Sequence, residues 1–141
     1  MHQMASEVYS SLPIGTTSKK IRLIELLPGR EDEPISCIFH CYALGSPDLE
    51  FTALSYAWGD PESPKYKILI NNHALNVCQN LWHFLKQNRQ FNRYGLLWID
   101  AISVNQSNIN ERNHQVALMR DIYSQVRRRL LTAQAALIDH G

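Results

Sequence analysis

Leu97-Trp98-Ile99-Asp100-Ala101-Ile102-Ser103-Val104-Asn105-Gln106 is a short apolar run that ends abruptly in an acid and is followed by two amides. A buried strand that delivers polar groups to one edge of a sheet has this pattern. Ala53-Leu54-Ser55-Tyr56-Ala57-Trp58-Gly59-Asp60, upstream, follows the same plan. Two strands that each finish in an Asp imply a site at their common end.

The rest of the chain organises around these two strands. Residues 1 to 20 are polar, without a sustained period, and are expected to form a loose arm. Ile21 to Leu27 alternates imperfectly and stops at Pro28-Gly29, a strand and a turn. Ile35 to Tyr42 reads as its antiparallel partner. Phe51 to Trp58 has a near-continuous apolar middle, which implies burial on both faces as in a parallel sheet. Tyr66–Ile70 and Ala74–Val77 flank Asn71-Asn72, a hairpin whose turn needs the positive φ that Asn tolerates. Cys78, Leu81, Trp82 and Leu85 follow at helical spacing, giving a helix over about 79–89. Strand 51–58, that helix and strand 96–100 form a βαβ unit with parallel strands. Val116, Met119, Ile122, Tyr123 and Val126 are assigned to one face of a helix beginning near Ser107 or Asn108. The fold expected is α/β, with a partly parallel sheet, flanking helices and an inserted β-hairpin.

With 141 residues the chain is a single domain or less. It is 45% apolar and 19% charged, the composition of an ordinary globular protein. A net charge of +1 gives no reason to expect nucleic acid as a partner. No apolar run reaches the roughly 20 residues of a membrane span, and the N-terminus lacks a signal-peptide pattern. Three cysteines at irregular spacing suit reduced thiols. Cytoplasm is therefore expected, with the nucleus as the other reduced compartment.

Open α/β sheets bind ligands outside the carboxyl ends of their strands. Trp58, Gly59 and Asp60 leave one such end, and Asp100, Ser103, Asn105 and Gln106 leave the other. Glu111 and Arg112 fall in the first turn or so of the last helix, with Gln115 one turn beyond on the same face. Each has a plain structural reading as well. Glu111 suits the helix dipole, worth about 0.3–1 kcal/mol. Asp100 can brace the turn after its strand. Trp58 is either a core aromatic or a wall for a planar ligand, and Gln115 can be simply solvated. No cofactor or metal is expected. Cys37, His40 and Cys41 are close in sequence, but strand alternation puts His40 opposite the two thiols. There is no glycine-rich phosphate loop, and Arg127-Arg128-Arg129 reads as the solvated end of a helix.

Taken together these blocks resemble the fungal heterokaryon incompatibility (HET) domain. That family's pattern is an A-L-S-Y-x-W-G block, a hairpin with an asparagine turn and an N-L helix, then W-I-D-A-x-x-x-N-Q and E-R-x-x-Q-V-x-x-M-x-x-I-Y. Here these are Ala53 to Gly59, Ile68 to Val77, Asn80-Leu81, Trp98 to Gln106, and Glu111 to Tyr123. The blocks span about residues 50–125. The family is associated with non-self recognition and cell death in filamentous fungi. Its fold is thought to be similar to TIR domains, some of which cleave NAD, so the resemblance implies a TIR-like or flavodoxin-like sheet. On that comparison the Leu54-Ser55-Tyr56 strand looks like the first TIR strand and Leu97 to Asp100 the second.

Two departures qualify the resemblance. Ser103 stands where the family often has Cys, so any role for a thiol there is lost. After Gln125 the family continues with an Ala and a Val-rich strand ending near W-L-G, whereas this chain reads Val126-Arg127-Arg128-Arg129-Leu130-Leu131. The expected layout is an arm over 1–20, a HET domain incomplete at its C-terminus over 21–126, and an atypical tail over 127–141. The glutamate essential to TIR enzymes lies in a later helix, so catalytic residues are unknown. The resemblance then implies an interaction module that self-associates or docks other proteins, rather than an enzyme. One alternative is a nucleotide (NAD) hydrolase, with the base against Trp58 and Asp60, Asp100 or Glu111 at the ribose. The other is an inactive truncated product.

Overall fold

The computed structural model of the protein describes residues 7–15, 18–46, 49–54, 64–90 and 95–122. Six strands form one mixed sheet: β1 Lys20–Leu26, β2 Ser36–Ala43, β3 Thr52–Leu54, β4 Lys65–Ile70, β5 His73–Cys78 and β6 Leu97–Ile99, in spatial order β3-β6-β1-β2-β4-β5. Helix α1 spans Gln79–Asn88, a helical turn α2 spans Asp100–Ser103, and residues 109–122 form helix α3.

β1 and β2 pair antiparallel, with Ile24 opposite Phe39, as their sequences imply. β3 and β6 lie side by side and parallel, with Ala53 opposite Trp98, so the strands on either side of the α1 crossover pair directly. The second hairpin, β4 and β5, turns through Asn71 and Asn72 at φ +51° and +67°. Both residues of a type I′ turn require this left-handed conformation, and Asn accepts it at little penalty. Asn71 also fastens the hairpin to β2. Its N–H donates to the Cys37 carbonyl at 3.0 Å and its Oδ1 accepts from the Phe39 N–H at 3.0 Å. β4 thereby runs parallel to β2, with Ser36 opposite Leu69.

Alternation along the central strands sorts their side chains into two apolar layers. Ile24, Leu97, Ile99 and Leu54 join one layer, against Leu81, Phe84 and Leu85 of α1. Ile21, Leu23, Trp98 and Ala53 join the other, against Leu118 and Ile122 of α3. The central strands are covered on both faces, which is why they read as nearly unbroken apolar runs. Burying each Leu, Ile or Phe of these layers contributes about 1.5–3 kcal/mol.

Three sequence expectations change. The chain before β1 is not all loose arm: residues 7–10 form a helical turn, and Val8, Tyr9 and Ile14 are buried. Tyr9 anchors it by stacking on Phe39 at 5.9 Å and donating its hydroxyl to the Ile102 carbonyl at 2.8 Å. A tyrosine needs both an apolar seat and a polar partner when buried, and this position supplies them. β6 ends one residue earlier than expected, because Asp100 already belongs to α2. Val116 does not face the core; it is 57% exposed, since α3 buries Glu111, Gln115, Leu118 and Ile122 instead. Ser55 to Ser63, with Trp58, Gly59 and Asp60, lies outside the described residues, as do Tyr123, Val126 and the tail over 127–141. Among the described residues no helix is long and apolar enough to cross a membrane.

Candidate functional site

The chain leaving β6 is held by its own polar side chains. Ser103, fully buried, accepts the Ile99 N–H on its Oγ at 3.1 Å and so closes the strand-to-α2 turn. The Gln106 amide donates to the Asp100 carbonyl at 2.8 Å. Asn105 Oδ1 accepts from the Ser107 N–H at 3.1 Å, an Asx turn. Asn108 then caps α3, its Oδ1 accepting the Glu111 N–H at 3.0 Å. The asparagines and glutamines of this block thus have local work to do before any ligand is considered.

The described site residues read from the sequence divide between two cavities, while Trp58, Gly59 and Asp60 lie outside the described residues. Asp100, Gln106, Arg112 and Gln115 line one of about 120 Å³, together with Trp98 and Met119. Asn105 and Glu111 line a second of about 390 Å³, with Tyr9, Ile14, Arg22 and Asn108.

Arg22, which sequence reasoning passed over, dominates the second. It is 1% exposed and lies on the face of β1 that carries Ile24. Its Nη1 and Nη2 donate to the two Glu111 carboxylate oxygens at 2.6 and 3.0 Å. Its Nε donates to the Leu12 carbonyl at 2.7 Å, and Nη1 also to the Ser103 carbonyl at 3.1 Å. The guanidinium carbon lies 5.0 Å from the Tyr9 ring centroid and 5.7 Å from that of Phe39. The Asn105 N–H donates to Glu111 Oε2 at 2.6 Å. Glu111 is therefore no mere dipole partner at a helix start but half of a buried, bidentate ion pair. Its signal was present in the sequence. A cation at an inward position of an apolar strand must have a partner somewhere.

The smaller cavity is chemically different. Gln115 is 1% exposed, which overturns its solvated reading. Its Nε2 donates to the Lys20 carbonyl at 3.0 Å, so its Oε1 is turned the other way, and that oxygen finds no partner among the described residues. Asp100 Oδ1 is likewise shielded and has no partner among the described residues. Burial pushes the Asp100 carboxyl above its ordinary range, opposed by the Ala101 backbone N–H. Among its described lining residues the cavity holds no thiol, serine hydroxyl or imidazole. Elsewhere, burial pushes the Cys37 thiol up to about 12, which silences it as a nucleophile. His40 pairs with Glu25 at 2.8 Å, and among the described residues no three His, Cys, Asp or Glu side chains gather as metal ligands.

Two outcomes follow from this geometry. Glu111→Leu strands the Arg22 charge and is expected to lower unfolding stability by about 3–5 kcal/mol. Adding Arg22→Met should restore a large part of that loss in urea titrations; a double variant as unstable as the sum of the two singles contradicts the pairing. Asp100 behaves in the opposite sense. Its folded pKa lies above the unfolded one, so between the two the native state binds the extra proton. Stability falls as pH rises from the ordinary aspartate value of 3.8 through the raised one, and the penalty persists above it. Asp100→Asn is therefore expected to raise the melting temperature at pH 7, with the gain shrinking toward pH 4. A gain that does not change with pH would disprove the assignment.

Comparison with known proteins agrees with the blocks in the sequence. The sequence model of the family "Heterokaryon incompatibility protein (HET)" matches residues 51–140. Heterokaryon incompatibility protein 6, OR allele, of Neurospora crassa is 34% identical over 132 residues, which take in 82% of this chain. The chain spans only 19% of that relative's length. No solved structure gives a significant match. The chain belongs to the heterokaryon incompatibility (HET) family.

Proposed function

We propose that this chain is an interaction module of fungal non-self recognition, acting in the cytoplasm and coupling incompatible cell fusion to cell death by self-association or by docking other proteins. The observation that carries the reading is family membership, with 34% identity to a protein named for heterokaryon incompatibility. The fold is consistent with a binding role. α3 sets two apolar side chains in solvent, Ile109 at 65% and Val116 at 57% exposed, two turns apart on one helix. They form a small apolar contact point among the exposed Arg112, Asn113 and Arg120. The described cavities, for their part, offer hydrogen-bonding and charged groups suited to binding.

The test is to express the chain, and a version carrying Ile109→Ser and Val116→Ser on the exposed face of α3, in filamentous fungal recipients and to score growth arrest and vital-dye uptake after fusion. Arrest and death with the parent chain, lost with the variant, support the proposal. Normal growth in every recipient, together with a strict monomer that crosslinks to nothing, rejects it.

A further inference from the structure

We propose that the cavity between the end of β6 and helix α3 binds a small planar cation of the guanidinium or amidinium class, held between Asp100 and Gln115. This inference does not depend on the recognition role. It starts from two acceptor oxygens, Asp100 Oδ1 and Gln115 Oε1, that are buried, lack partners among the described residues and belong to side chains lining one cavity. A buried acceptor left unmade costs about 1–3 kcal/mol, more if charged, so such a pair calls for a donor.

The orientation of Gln115 is set independently of any ligand. Its Nε2 donates to the Lys20 carbonyl at 3.0 Å, and a flipped amide would place oxygen against oxygen there. Gln115 Oε1 is thus a fixed acceptor. Asp100 is the second, and an anion, so the complementary ligand presents at least two N–H donors and a positive charge. Trp98, Val104, Val116 and Met119 add apolar wall beside the polar Gln106 and Arg112. A planar, weakly hydrated guanidinium or amidinium suits that wall, since it stacks on aromatic faces and is less expensive to desolvate than an ammonium. A neutral amide would leave the carboxylate uncompensated. The cavity holds about 120 Å³, the liquid share of roughly four waters, which is room for such a head group. Arg112 stands at the same cavity but is solvent-exposed, where its repulsion is screened by salt.

A free metabolite and an arginine side chain of a protein both carry this chemistry. Titration of the chain with methylguanidinium and, separately, with the blocked tripeptide Gly-Arg-Gly distinguishes them, followed by NMR of the Gln115 side-chain amide. Saturable binding is expected for at least one probe. The tighter of the two identifies the source, and tetramethylammonium and acetamide should not compete. Asp100→Asn preserves the shape of the site and is expected to fold at least as well, so it isolates the charge. It should weaken binding by about 10- to 100-fold, the worth of a charge-assisted hydrogen bond. Absence of saturable binding by both probes overturns the proposal. So does equal binding of tetramethylammonium or acetamide, or affinity unchanged in Asp100→Asn.

Discussion

The described structure turns on the contact between Arg22 and Glu111. Removing two charges from water is costly, and the interior repays it only when geometry is good and the remaining donors are satisfied. Both conditions hold. The carboxylate is engaged at 2.6 and 3.0 Å, and the other guanidinium donors reach the carbonyls of Leu12 and Ser103. Those partners belong to three separate pieces of chain, the segment before β1, α2 and the start of α3, which Arg22 ties to its own strand β1. One side chain therefore sets how the N-terminal segment and α3 meet the sheet. The rings of Tyr9 and Phe39 complete its surroundings with cation–π contacts.

The same placement separates the two cavities. Glu111 is drawn toward Arg22, and the Asn105 N–H follows it. Gln115, one turn along α3, is drawn instead toward the Lys20 carbonyl at the start of β1. Asp100 and Gln106 remain on the Gln115 side. Residues close in sequence thus serve different ends: some complete a structural ion pair, and others line a cavity with acceptors that have no partner among the described residues.

Much of the sheet was legible because it follows simple periodicities. The runs at 52–54 and 97–99 are apolar on both faces, and they do lie parallel and covered on both sides. Asn71-Asn72 announced the second hairpin through its backbone requirement. What escaped was set by long-range polar contacts. Counting apolar residues along α3 places Val116 inward, but the helix buries Glu111 and Gln115, whose partners lie 89 and 95 positions away. A hydrophobic pattern is silent about a buried polar stripe. Likewise Val8, Tyr9 and Ile14 are too sparse to show a period, and they become core only when β1 and β2 supply the surface beneath them. Of the site, the stretch from Asp100 to Gln115 was legible as polar groups at a sheet edge; its division between two cavities was not, because Arg22 decides it.

Native-state hydrogen exchange tests most directly whether Arg22 joins these pieces into one cooperative unit. The reporter is the Asn105 N–H, bonded to Glu111 Oε2 and close to no regular ladder. If the ion pair holds the N-terminal segment, β1, α2 and α3 together, this amide exchanges only in the same global opening as the central β1 amides. Exchange of Asn105 through local opening, well before β1, would contradict the account.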